Sequence, residues 1–132
     1  MELKKREIKD AIVISPKQVK ILYRFLELTE NKLKEDKNFF TEFSQDFSRD
    51  ISFVDVLKAK VSDIAAGKPR AFTLFEGIIL TSLTMTFRLN HYDSENLTKD
   101  IETIGERLDT LFHEKGCLEL FYIVKEDRLE EQ

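Results

Sequence analysis

Apolar residues recur at every third or fourth position after Ser15, and charged residues fill the positions between them. This spacing predicts an amphipathic helix. Ser15 and Gln18 form a Ser-x-x-Gln capping box, and Pro16 suits the first position of a helix. We therefore expect a helix to begin here and to pack one face against a core. Its apolar face consists of Val19, Ile21, Leu22, Tyr23, Phe25, Leu26, Leu28 and Leu33.

Two later stretches show the same helical spacing. One begins at Ser52, which can cap a helix, and is stopped by Gly67 and Pro69. The other follows a polar connection at 91–96 and ends at Gly116. Both are predicted to be helices with one buried face.

The segment 72–89 is apolar on nearly every side and carries only Glu76 and Arg88 as charges, which predicts a central helix buried by its neighbours. Residues 82–89 also alternate between polar and apolar side chains, which is the pattern of a half-buried strand. We favour the helix because an 18-residue run without an internal turn dipeptide exceeds a normal strand.

Residues prone to form β-structure cluster near the two ends of the chain, at 12–14 and 118–124. Because the ends of a small domain often lie close together, these segments are predicted to form a small β-pair. The alternative is that 118–124 extends the helical bundle. The expected fold is mainly α, a compact bundle of four to five helices around a buried 72–89 segment, with α+β as the alternative if 82–89 is a strand.

The chain of 132 residues is 42% hydrophobic, which is enough for one domain with its own core. Residues 1–10 and 125–132 are highly charged and are expected to be flexible ends. The lone cysteine cannot form an internal disulfide, and the N-terminus lacks the apolar core of a signal peptide, so we expect a cytoplasmic protein. The longest uncharged stretch, 77–87, is too short to span a membrane, which takes about 20 residues.

The net charge of −4 disfavours binding to a phosphate backbone, so a nucleic-acid partner is not expected. One group of cations is nevertheless a candidate secondary site for an acidic partner, namely Lys58, Lys60, Lys68 and Arg70. A solvated helix end explains the same residues more simply.

The motifs that would carry covalent or metal chemistry are incomplete. His113 and Glu114 resemble the start of a zinc-protease motif, but position 117 is Cys where the motif needs a second His. The glycine beside Lys68 lacks the earlier glycine and the following Ser or Thr of a phosphate-binding loop. We therefore predict no catalytic residue, no metal and no cofactor.

Phenylalanine is the unusual feature of the composition, with 11 in a chain that has no Trp. Five lie in 39–53, and those from 39 to 47 have helical spacing, which predicts a short aromatic helix. Filling the core is the simpler role for them. One short helix cannot easily bury so many inward, however, so a groove-facing surface is the alternative. The candidate partner-binding residues are Phe39, Phe40, Phe43 and Phe47.

These observations favour a protein-binding module without catalytic activity, acting as an adaptor, an inhibitor or immunity-type protein, or a chaperone-like protein. It would use its Phe-rich surface and its acidic exterior to bind another protein. A second copy of the chain is a further candidate partner. The alternative function is a small-molecule or lipid carrier whose apolar cavity is lined by Phe residues.

Overall fold

The computed structural model of the chain describes residues 11–36, 47–116 and 120–126. These residues form a mainly helical fold with a small mixed sheet. The elements in chain order are β1 (Ala11–Ile14), α1 (Pro16–Glu35), α2 (Phe47–Ala65), β2 (Arg70–Thr73), α3 (Leu74–Leu89), α4 (Thr98–Lys115) and β3 (Leu120–Lys125).

The predicted start of α1 is confirmed. The Ser15 hydroxyl accepts a hydrogen bond from the Gln18 backbone N–H at 3.1 Å, and the Gln18 side chain accepts one from the Ser15 N–H at 2.9 Å. Two backbone donors at the helix N-terminus are satisfied in this way. The second helix begins earlier than predicted, at Phe47 instead of Ser52, and ends before Gly67 as expected.

The predicted pairing of the two terminal segments is also confirmed. β1 runs parallel to β3, with Ile12 opposite Ile123. The third strand, β2, pairs antiparallel with the other edge of β3 and was not predicted. β2 is only four residues long, and it contacts a part of the chain that is distant in sequence. The buried Phe72 ring stacks on the Phe121 ring of β3, with 5.8 Å between the ring centroids.

The segment 82–89 is helical, so the helix interpretation is confirmed over the strand alternative. The threonines that gave the alternating pattern bond to the helix backbone. The Thr84 hydroxyl donates to the Thr81 carbonyl, 2.6 Å away and three residues back, and the Thr86 hydroxyl donates to the Ser82 carbonyl, 3.1 Å away and four residues back. Threonine satisfies its hydroxyl inside a helix in this way, so the alternation did not require a strand.

The core lies where the sheet meets the inner faces of the helices. Its largest fully buried side chains are four phenylalanines, of which Phe25 on α1 and Phe87 on α3 are 4.7 Å apart between ring centroids. Phe72 and Phe121 hold the sheet against the helices. Part of the unusual Phe content therefore fills the core, but these four residues lie outside the 39–53 stretch and do not test the role predicted for its five phenylalanines.

Candidate protein-binding surface

Helix α3 exposes an apolar stripe to solvent. Phe75 is 56% exposed, Ile78 51%, Met85 60% and Leu89 73%. Together with Ser82 they are spaced three, four, three and four residues apart, so they share one side of the helix. A surface helix normally turns charged residues outward on this face. We refer to these four apolar residues and Ser82 as the α3 stripe.

The opposite face of α3 is packed in the core, where Leu80, Leu83 and Phe87 are buried. This division explains why the segment 72–89 is apolar on nearly every side. One face serves the core, and the other leaves large apolar side chains in water. The sequence showed the shortage of charges on this segment, but it did not show that one of its faces stays uncovered.

Helix α4 forms a wall beside the α3 stripe, and an open groove of about 700 Å³ lies between the two helices. The helices approach closely at two glycines. A Cβ at Gly105 would lie 3.0 Å from the Thr81 hydroxyl, and a Cβ at Gly77 would overlap the Leu108 side chain. The absence of side chains at these two points allows α3 and α4 to pack closely. The groove is lined by Leu74, Ile78, Thr81, Ser82 and Arg88 of α3 and by Glu102, Gly105, Glu106, Leu108, Asp109 and Phe112 of α4.

The α4 side of the groove is acidic. Glu102, Glu106 and Asp109 contribute three carboxylates, against the single cation Arg88 that α3 supplies. Arg88 forms an ion pair with Glu102. The imidazole of His113 is 3.5 Å from the Asp109 carboxylate, and both side chains are largely exposed. The groove thus combines an apolar floor with a negatively charged rim.

The turn between α3 and α4 is fixed by Asp93. Its carboxylate accepts hydrogen bonds from the backbone N–H groups of Leu97 and Thr98, at 2.7 and 3.2 Å, and from the Thr98 hydroxyl at 2.7 Å. Partial burial acts to raise the pKa of Asp93, but these hydrogen bonds outweigh it and lower the pKa below its ordinary value. The ionised carboxylate therefore stabilises the start of α4.

The N-terminus of α3 is anchored to α2 by a partly buried ion pair. The Lys60 ammonium lies 2.8 Å from the Glu76 carboxylate, which is almost fully buried. Glu76 also accepts a hydrogen bond from the Thr73 backbone N–H at 2.8 Å, and the Thr73 hydroxyl accepts one from the Glu76 N–H at 3.0 Å. This capping box and the ion pair fix the position from which the α3 stripe projects.

The four residues of the candidate basic patch are mostly neutralised within the fold. Lys60 pairs with Glu76 as described, Arg70 lies 2.8 Å from Asp63, and Lys58 lies 3.6 Å from Glu30. Lys68 is exposed at the turn that follows α2.

The pKa of Glu30 is set by burial and by several polar neighbours, of which Lys58 is one. Partial burial of Glu30 acts to raise its pKa, but a hydrogen bond with Asp55 and the charges of Lys58 and Lys34 lower it overall. Among the described residues, three of the four cations in the predicted patch therefore already contact a carboxylate of the same chain.

The predicted Phe surface falls mostly outside the described residues. Phe39, Phe40 and Phe43 lie there, and Phe47 is described only as the first residue of the α2 backbone, so their role stays a prediction. The fifth phenylalanine of that stretch, Phe53, is half-buried on α2. Its ring meets Phe75 of the α3 stripe edge-on, with 6.1 Å between the centroids. The end of the Phe-rich stretch therefore adjoins the α3 stripe.

The residues considered for metal chemistry do not assemble in the described part of the chain. His113 is exposed on α4 beside Asp109, and Cys117 lies outside the described ranges. Within residues 11–36, 47–116 and 120–126, no three His, Cys, Asp or Glu side chains come close enough to hold a metal ion. No helix in those ranges is both long and apolar enough to cross a membrane.

Comparison of this chain with protein-family models, with curated proteins and with solved structures found no match. The geometry of the α3 stripe and of the groove beside it therefore provides the basis for a functional proposal.

Proposed function

We propose that this protein is a cytoplasmic protein-binding module of the adaptor, inhibitor or chaperone-like kind, and that its partner docks on the α3 stripe. The observation that carries the proposal is the exposure of Phe75, Ile78, Met85 and Leu89, each more than half accessible on one side of one helix. Contiguous apolar surface of this kind on a soluble domain marks an interaction site.

The composition of the stripe supports a protein partner. Phe and Met are enriched at the centres of protein interfaces, because they bury a large apolar area and pack well in a partner's pockets. Their spacing along α3 matches the anchor positions with which helices pack against one another. The groove beside the stripe is also open to solvent, whereas a carrier needs a cavity that encloses most of its ligand.

The rigidity of α3 supports the same conclusion. The capping box at Thr73, the Lys60–Glu76 ion pair and the close packing at Gly77 hold the helix in place before a partner arrives. A surface that is already ordered loses little conformational entropy on binding, so more of the contact energy is available as affinity.

The proposal is tested with the double variant Ile78→Ser/Met85→Ser. Both side chains are more than half exposed, so the free energy of unfolding should fall by less than about 1 kcal/mol, whereas truncating the buried Leu83 to Ala on the same helix should cost about 2–5 kcal/mol. Affinity for the partner should fall at least about tenfold, because two interface anchors are removed. Lys20→Ser/Asn31→Ser, two exposed positions on α1, is the matched control and should bind like the wild type.

The partner is first isolated from extracts of the source organism with tagged wild-type protein, and its stoichiometry is measured by native mass spectrometry. The dissociation constant of the purified partner is then measured for the wild type, for Ile78→Ser/Met85→Ser and for the control Lys20→Ser/Asn31→Ser. Equal affinity for the wild type and for Ile78→Ser/Met85→Ser would overturn the proposal. A bound lipid or small molecule in place of a stoichiometric protein would favour the carrier function instead.

A further inference from the structure

We infer that the segment recognised by the α3 stripe is an amphipathic helix with a basic flank, seated in the groove so that its lysines or arginines face the carboxylates of α4. This inference rests on the proposed function and adds the chemical class of the partner. It is carried by two features that lie side by side, the apolar spacing on α3 and the acidic rim on α4.

The shape of the site fits a helix. The stripe runs about 21 Å along the axis of α3, which is the length of roughly four helical turns. Its three-four spacing is the seam along which two helices pack at a small crossing angle. Ile78 and Ser82 belong both to the stripe and to the groove, so a helix on the stripe would lie against α4 along one side.

The charge of the site fits a basic flank. Arg88 is the only cation in the groove lining, and it is already paired with Glu102. Glu106 is exposed and has no salt-bridge partner among the described side chains, and the Asp109 side chain is 70% exposed. The carboxylates of the rim are therefore not fully neutralised by the cation in the groove lining. This negative charge favours a docked helix that carries cations on the side facing the rim.

The same charges disfavour a second copy of this chain as the occupant. A partner copy docked through its own α3 stripe would bring its own Glu102, Glu106 and Asp109 to the interface, because a two-fold interface uses the same surface on both copies. Opposed carboxylates repel each other. A positively charged helix instead brings the opposite sign to the rim.

The test uses two synthetic 21-residue peptides that share the same leucines at heptad positions a and d. One carries Lys at the flanking e and g positions, and the other carries Glu there. Three proteins are titrated with each peptide at low salt by fluorescence anisotropy: the wild type, the rim variant Glu106→Lys/Asp109→Lys, and the control Glu27→Lys/Glu35→Lys on α1. The rim variant and the control change the net charge equally, so general attraction between acidic protein and basic peptide affects both alike.

We expect the wild type to bind the Lys peptide at least about tenfold more tightly than the Glu peptide, since several close charge pairs form at the rim. The rim variant should lose or invert this preference, and the control should keep it. Binding of the Lys peptide should also weaken in Ile78→Ser/Met85→Ser and with added salt.

Four outcomes would overturn the inference. Equal affinity for both peptides would show that the α4 carboxylates do not favour a basic helix. An equal loss of preference in the rim variant and the control would show the same. Failure of both peptides to bind would show that the stripe does not accept a helix. Self-association that disappears in Ile78→Ser/Met85→Ser would identify a second copy as the occupant. In each case the proposed function is still judged separately, by the affinity of the isolated partner.

Discussion

Asp93 shows how a single side chain sets the geometry between two helices. Its carboxylate bonds to two backbone N–H groups and one hydroxyl at the start of α4, although it lies four residues before Leu97. The sequence indicated a polar connection at 91–96 but not this role, because Asp93 caps across a turn that includes Asn96 at φ 55°. The Ser15 cap was predictable since it follows the standard spacing.

Replacing Asp93 with Ala should lower the free energy of unfolding at neutral pH by about 1–2 kcal/mol, because the start of α4 loses its acceptors. The hydrogen bonds lower the pKa of Asp93 in the folded state. The contribution of Asp93 to the free energy of unfolding is therefore fully present above its pKa in the unfolded chain, about 3.9. This contribution is lost as the pH falls through the lower pKa that Asp93 has in the folded state. Urea denaturation at about pH 7 and pH 3 should give a wild-type advantage that shrinks at the acid pH. A difference that is the same at both pH values would contradict this role.

At the scale of elements, the two faces of α3 lie in different environments. Its inner face fills the core beside the sheet, and its outer face carries the α3 stripe. The shortage of charges and the length of the run without a turn dipeptide were sufficient to predict the helix itself, since both are local properties of the sequence. β2 could not be predicted in this way, because a four-residue strand exists only through its pairing with β3, nearly fifty residues later in the chain.

The close packing of α3 against α4 depends on Gly77. Gly77→Ala adds a methyl group that overlaps Leu108 and would lie 3.3 Å from the Phe121 ring. The cost of overpacking, about 1–3 kcal/mol, should exceed the gain in helix propensity of at most about 1 kcal/mol. Leu108→Ala alone should cost about 2–5 kcal/mol.

In the double variant, the smaller residue at 108 makes room for the methyl group at 77. The loss of stability in Gly77→Ala/Leu108→Ala should therefore be at least about 1 kcal/mol smaller than the sum of the two single losses. The four proteins of this cycle are compared by thermal and urea denaturation. Strictly additive losses would show that the two positions do not touch.

At the scale of the whole molecule, apolar exposure and negative charge are distributed unevenly. Of the eight large apolar side chains exposed in the described part of the chain, four belong to the α3 stripe and a fifth, Phe112, lines the groove beside it. The cations of the predicted basic patch are mostly paired, whereas the carboxylates on the α4 rim outnumber the one cation beside them. Most of the exposed apolar side chains and the acidic rim therefore lie on one side of the described structure.

The sequence predicted a binding surface rich in Phe and an acidic exterior, but it did not indicate that α3 exposes an apolar stripe. Which face of an all-apolar helix stays exposed depends on how α1, α2, α4 and the sheet are arranged, and periodicity does not encode that arrangement. The Phe39–Phe47 surface remains a prediction of the sequence. Phe53, the last phenylalanine of the Phe-rich stretch, contacts Phe75 of the α3 stripe.

The most direct test of the α3 stripe as the docking surface is site-specific photo-crosslinking in the source cells. Met85 is replaced by the photoreactive amino acid benzoylphenylalanine, and in a separate protein the exposed Lys20 on α1 is replaced in the same way. We expect one defined protein adduct from position 85 and none from position 20. An adduct from position 20 alone, or no protein adduct from position 85, would contradict the account.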